Sequence, residues 1–183
     1  MKRLMTTTIM LLLGPVGMTA TLGSEAATQA SVTNGRGGNG SAMATAEYEG
    51  VAGLARTRTE TGKITLARGL AVGFDEDGLS VSVSHGAASR RGPAYAGTFN
   101  LAINTNGQVS GSYGGVLSRG GSSRSATAGG RVQAARRSGS ASAFATGSTQ
   151  GGGAVKASTR SYHRRVQVAR RVLRTVKVIR RRH

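Results

Sequence analysis

The sequence predicts a mainly β protein: a small antiparallel sheet of hairpins over about residues 65–115, with Gly/Ser/Ala-rich flanks and a basic C-terminal tail of helical periodicity. Three observations carry that expectation. Leu79, Val81 and Val83 alternate with Ser80, Ser82 and Ser84, the period of a strand with two unlike faces. Turn chemistry stands between the alternating runs, at Asp75-Glu76-Asp77-Gly78 and at Thr105-Asn106-Gly107. Gly, Ala, Ser and Thr supply 93 of 183 residues, whereas Leu, Ile, Val and Phe supply only 34. Such a composition excludes a large core packed from big side chains.

The N-terminus reads as a secretory signal over residues 1–30. Lys2 and Arg3 precede the apolar run Ile9 to Val16, and small residues follow. Small residues at −3 and −1 place cleavage after Ala26 or after Ala30. The run is too short for a membrane-spanning helix, and Gly14, Pro15 and Gly17 interrupt it. A secreted or extracytoplasmic location, in a periplasm or at a cell surface, is therefore expected. Residues 31–63 then read as a Gly/Thr-rich linker, with Asn34-Gly35 and Asn39-Gly40 as turn signals.

Residues 64–118 form the expected hairpin core. A four-residue loop Asp75–Gly78 pairs Phe74 with Leu79, Val72 with Val81 and Leu70 with Val83, so the apolar pairs share one face. In the second hairpin Tyr95, Gly97, Phe99, Leu101 and Ile103 alternate with small or polar residues. A three-residue loop with Gly107 in the left-handed conformation pairs Ile103 with Val109 and Phe99 with Tyr113. Each hairpin thus has an apolar face and a Ser/Ala/Thr face. The expected arrangement stacks the apolar faces and leaves the small polar faces in solvent. Residues 119–160 are Gly/Ser-rich, and read either as low-complexity chain or as thin strands.

Residues 161–183 form an Arg-rich tail. At about 100° per residue Val166, Val168, Ala169, Val172, Leu173, Val176 and Ile179 gather on one side and most of the cations on the other. Valine favours strands, so a strand and a solvated tail are the competing readings. The charge of the chain is divided as sharply as its composition. All seven carboxylates lie in the first 77 residues, where seven cations balance them; from Gly78 onward there are 18 cations and none. Ten of these fall in the last 24 residues and form the expected polyanion-binding set: Arg160, Arg164, Arg165, Arg170, Arg171, Arg174, Lys177, Arg180, Arg181 and Arg182.

Enzymatic signatures are missing from the sequence. It has no Cys, which removes thiol chemistry, cysteine zinc sites and disulfides. His85, His163 and His183 lack metal-ligand spacing, and Asp75-Glu76-Asp77-Gly78 lacks the spacing of a calcium loop. His85 reads as a strand-end residue on the apolar parity. No catalytic residue, metal, cofactor or small-molecule substrate is expected. The function expected is that of a non-enzymatic, secreted, β-rich structural or surface protein whose cationic half binds anionic polymer or an anionic membrane surface. Self-association is compatible with that role. The alternatives are a membrane-active effector carried in the tail, and a protein that binds nucleic acid without sequence preference.

Overall fold

A computed structural model describes residues 23–35 and 40–165, and among these residues the regular structure is all strand. The ten strands are β1 (Ser24–Gly35), β2 (Ser41–Glu49), β3 (Ala52–Glu60), β4 (Ile64–Phe74), β5 (Gly78–Ser89), β6 (Ala94–Asn104), β7 (Gln108–Arg119), β8 (Ser123–Ala134), β9 (Gly139–Gln150) and β10 (Ala154–Arg165). They build two antiparallel sheets, ordered β2-β1-β8-β9 and β10-β7-β6-β5-β4-β3. The sheets pack face to face, with β1 over β4 and β5, β8 over β5 and β6, and β9 over β7. Strands β3 and β10 form the edges of the larger sheet and are exposed along their whole length.

Both central hairpins have the register the alternation predicts. Phe74 pairs with Leu79, Val72 with Val81 and Leu70 with Val83. Ile103 pairs with Val109 and Phe99 with Tyr113. Gly107 has a φ of 75°, the left-handed conformation that its three-residue loop requires. The Asp75–Gly78 turn is closed by Asp75, whose Oδ1 accepts hydrogen bonds from the Asp77 and Gly78 amides at 2.8 and 2.9 Å. Burial raises the Asp75 pKa, and these two hydrogen bonds oppose the rise.

The orientation of those hairpins corrects the expectation. The small-residue face is the buried one, and the Leu/Val/aromatic face is turned outward. Ala67, Ala71, Ser80, Ser82, Ser84, Ala96 and Asn100 are almost fully buried, while Leu66, Leu70, Val81 and Val83 are only half-buried. The physical reason lies in the second sheet, whose inner face is equally small. Ala26, Ala30, Ala126, Ala128 and Val132 line it. Two small faces bring backbones close together and gain dispersion contacts that larger side chains would hold apart. Many of the buried hydroxyls and amides bond across the gap, whereas Asn34 Nδ2, Thr65 Oγ1 and Ser84 Oγ are buried without a partner among the described residues. Ser24 Oγ donates to the Gly78 carbonyl at 3.1 Å, Ser118 Oγ to the Ser125 carbonyl at 2.7 Å, and Asn100 Nδ2 to the Ser142 carbonyl at 3.0 Å.

The sheets also extend well beyond residues 65–115. Residues 31–63, expected as a linker, contain the end of β1 and the whole of β2 and β3. Residues 119–160 contain β8, which is central in its sheet, and β9. In β2, β8 and β9 the inward residues are mostly Ala, packed against the small-residue face of the other sheet, so their alternation carries little large-apolar signal. The expected leader meets the fold as well. Ser24–Ala30 are the first seven residues of β1, held between β2 and β8. Cleavage after Ala30 would remove Ser24 and Ala26 from the interior. We therefore expect any processed form of the chain to retain Ser24, and N-terminal sequencing of the purified protein checks this. A mature N-terminus at Ala27 or Ser31 would contradict it.

Candidate functional site

The most unusual surface is the outer face of the six-stranded sheet, because it carries the side chains that a conventional sandwich would bury. One row crosses all six strands as Leu54, Val72, Val81, Leu101, Gly111 and Tyr162. The row beside it toward the β4–β5 turn continues with Phe74, Leu79, Ile103 and Val109. The row on the other side has Leu70, Val83, Phe99 and Tyr113 at its centre. Phe99 is 43% exposed, Tyr113 44% and Leu54 42%. Large contiguous apolar patches are uncommon on the surfaces of monomeric proteins, which makes this face the candidate contact surface.

The edge strands give this apolar face a cationic border. On β10 Lys156, Arg160 and Arg164 have the same parity and pair opposite Leu117, Tyr113 and Val109. On the opposite edge Arg56 and Arg58 pair with Leu70 and Arg68. Arg58 forms an ion pair with Glu60. At the end of the sheet nearest Ile64, Lys63 and Arg90 lie in adjoining turns joined by the hydrogen bond from the Arg90 amide to the Lys63 carbonyl. Arg124 is a cation of a different kind. It is buried at 4% exposure and donates to the Arg90 carbonyl, which removes it from the surface.

His85 lies between the apolar rows and Arg68, its register partner. Burial lowers its pKa, and the nearby Arg68 cation lowers it further, so the neutral ring is favoured. The ring lies 5.4 Å from that of Tyr95, tilted by 43°. The strand continues to Ser89, so His85 is in mid-strand rather than at a strand end.

Carboxylates are concentrated on the other side of the sandwich. Glu25, Glu47 and Glu49 lie on the outer face of the four-stranded sheet, where Glu25 pairs with Glu49 and Ala27 with Glu47. Glu25 forms an ion pair with Arg131. Burial raises the Glu25 pKa; Arg131 opposes the rise, and Glu49 and Glu47 add to it. The rest of that face is mainly hydroxyls, including the Ser31–Thr127 and Ser125–Ser148 hydrogen bonds at 2.9 and 2.8 Å. The two broad faces of the molecule therefore differ in both polarity and charge.

Of the ten expected anion-binding residues, Arg160, Arg164 and Arg165 lie within β10. Arg160 and Arg164 point to the apolar face, and Arg165, of opposite parity, does not. Arg170, Arg171, Arg174, Lys177, Arg180, Arg181 and Arg182 lie outside the described residues, as does the expected helix from Val166. Sequence reasoning missed Arg56 and Arg58, because residues 31–63 read as linker, and it also passed over Arg68 in the hairpin core and Lys156, which no pattern in the sequence sets apart. It also missed the aromatic covers on glycine. A Cβ on Gly111 would overlap the phenol end of Tyr162, and one on Gly97 would meet Tyr95 Oη at 2.7 Å. These rings lie over bare backbone, a device that strengthens glycine-bearing strands. The usable signal was the alternation of Gly97 and Gly111 in phase with the apolar residues.

No protein-family model, curated protein or solved structure matches this chain.

Proposed function

We propose that this chain is a non-enzymatic, exported β-sandwich that adheres to anionic polymer or surface through the cationic edge of its six-stranded sheet. The observation that carries the reading is the spacing of Lys156, Arg160 and Arg164 on the exposed edge strand β10. At four-residue intervals in a strand the three cations share one side and repeat about every 13 Å. No carboxylate follows Asp77 in the sequence to neutralise them. A row of uncompensated cations on one edge binds extended polyanions by releasing their counterions, without selecting a precise sequence or shape.

Retention on immobilised heparin across a salt series tests this. The parent chain is expected to elute later than the triple variant Lys156→Ser/Arg160→Ser/Arg164→Ser. The slope of log affinity against log salt is expected to fall by about two to three in that variant, close to one per lost contact. An unchanged slope would remove β10 from the binding surface. Retention indifferent to salt in the parent would remove the function.

A further inference from the structure

We propose that the outer face of the six-stranded sheet docks flat on an anionic lipid bilayer, with its apolar rows at the acyl boundary and the edge-strand cations on the headgroups. The proposal rests on the anion-binding reading above and identifies the anionic surface as lipid. A soluble polyanion needs only the cations and gives no account of the apolar face. The row from Leu54 to Tyr162 spans six strands, about 24 Å at the usual strand spacing. Cations border it on both sides, through Arg56 and Arg58 on β3 and through Lys156, Arg160 and Arg164 on β10. Apolar area flanked by cations is what an interfacial protein presents to anionic lipid. Three of the four tyrosines, Tyr95, Tyr113 and Tyr162, lie on this face at 40–44% exposure. Their rings combine an apolar body with a polar tip, which suits the headgroup boundary.

A second copy of the chain fits the same face less well. In a face-to-face pair, either orientation sets a cationic edge strand against another cationic edge strand. Glu60, already paired with Arg58, is the one carboxylate in the outward rows of those strands. The acidic residues Glu25, Glu47 and Glu49 lie on the opposite broad face, where they point away from a bilayer contacted in this way. Glu76 and Asp77 lie in the β4–β5 turn, beyond the end of the apolar rows.

Because the chain has no cysteine, single labelling sites are easily introduced. Leu101→Cys places an environment-sensitive fluorophore at the centre of the apolar face, and Thr127→Cys places one on the opposite face. With vesicles of phosphatidylglycerol and phosphatidylcholine, the label at 101 is expected to brighten and shift to the blue, and the label at 127 to remain as in buffer. Phosphatidylcholine vesicles alone are expected to give neither change. The double variant Val81→Glu/Leu101→Glu is expected to lose vesicle binding at least tenfold while keeping its heparin retention. Equal responses at 101 and 127, or binding with no response at 101, would assign any vesicle affinity to another segment and overturn the proposal. So would a concentration-dependent dimer that the double variant abolishes in a chain that ignores vesicles. Heparin retention without vesicle binding would reject the lipid surface while sparing the anion-binding role; loss of both in the parent chain would reject the two together. If the double variant does not fold, the pair of labels still decides the question.

Discussion

Gly73→Ala is expected to destabilise this protein more than Leu79→Ala, the reverse of what their sizes suggest. Gly73 lies on the inner face of β4, where an added Cβ would stand 2.8 Å from the Glu49 carbonyl oxygen and closer still to that of Glu25. Both oxygens belong to the backbone of the opposing sheet, so no side chain can rotate out of the way. Relief requires the sheets to separate locally, and overpacking of this kind costs about 1–3 kcal/mol. For a domain of this size that is a fall in melting temperature of about 3–9 °C. Gly73→Val adds two further methyl groups at the same point and is expected to abolish cooperative melting. Leu79, by contrast, is half-buried on the outer face. A core leucine loses about 2–5 kcal/mol on truncation to alanine, and Leu79 is expected to lose under about 1.5. Thermal melts of the purified variants, followed by circular dichroism, measure both effects. A larger loss at Leu79 than at Gly73 would mean that the apolar face is covered in the folded protein and that the small-residue interface is not its core.

The same inversion explains what the sequence revealed and what it hid. Strand pairing in the central hairpins was legible to the residue, because Asp75–Gly78 and Thr105–Gly107 set loop length and alternation set parity. Which face turned inward was not legible. Alternation separates two faces without naming the buried one, and the usual rule that larger apolar side chains go inside assumes a partner surface of similar kind. Here the partner is β1 and β8, whose Ala26, Ala30, Ala126 and Ala128 carry no sequence signal beyond smallness. Their pairing is also remote, joining Ser24 to Ala134 and Gly35 to Ser123, and no turn signal reports it. The candidate site was partly legible for the same reason. The charge division at Asp77 draws notice to Arg160 and Arg164, whereas Lys156 joins them in a row, and Arg56 and Arg58 acquire meaning, only once β10 and β3 are strands.

A second large effect is expected at Asn100, which joins the two sheets by hydrogen bonds. Its Oδ1 accepts from Ser82 Oγ at 2.6 Å, and its Nδ2 donates to Ser112 Oγ at 3.2 Å and to the Ser142 carbonyl at 3.0 Å. With the Ser82 proton committed to Asn100, Thr28 Oγ1, 2.8 Å from Ser82 Oγ, is the donor in that contact. The chain of bonds therefore runs in one direction across the interface. Asn100→Leu leaves the Ser82 hydroxyl and the Ser142 carbonyl without this partner in a buried place, at about 1–3 kcal/mol for each unsatisfied group. Asn100→Asp keeps the volume and inverts the donor. When ionised it presents an oxygen to the Ser142 carbonyl, and when protonated it can donate there again. Burial raises the pKa of such a carboxyl above its unfolded value. The folded state then binds more protons than the unfolded state between the two values, so stability falls as pH rises through that window. Glu25 and Asp75, whose pKa values burial also raises, give the parent a slope of the same sign. The informative quantity is thus the difference between variant and parent in melts from about pH 4 to about pH 8. Asn100→Asp is expected to approach the parent at the acid end and to fall furthest below it at the alkaline end, with Asn100→Leu low throughout. A constant difference between Asn100→Asp and the parent would show that the side chain at position 100 reaches water and that the polar bridge between the sheets is open.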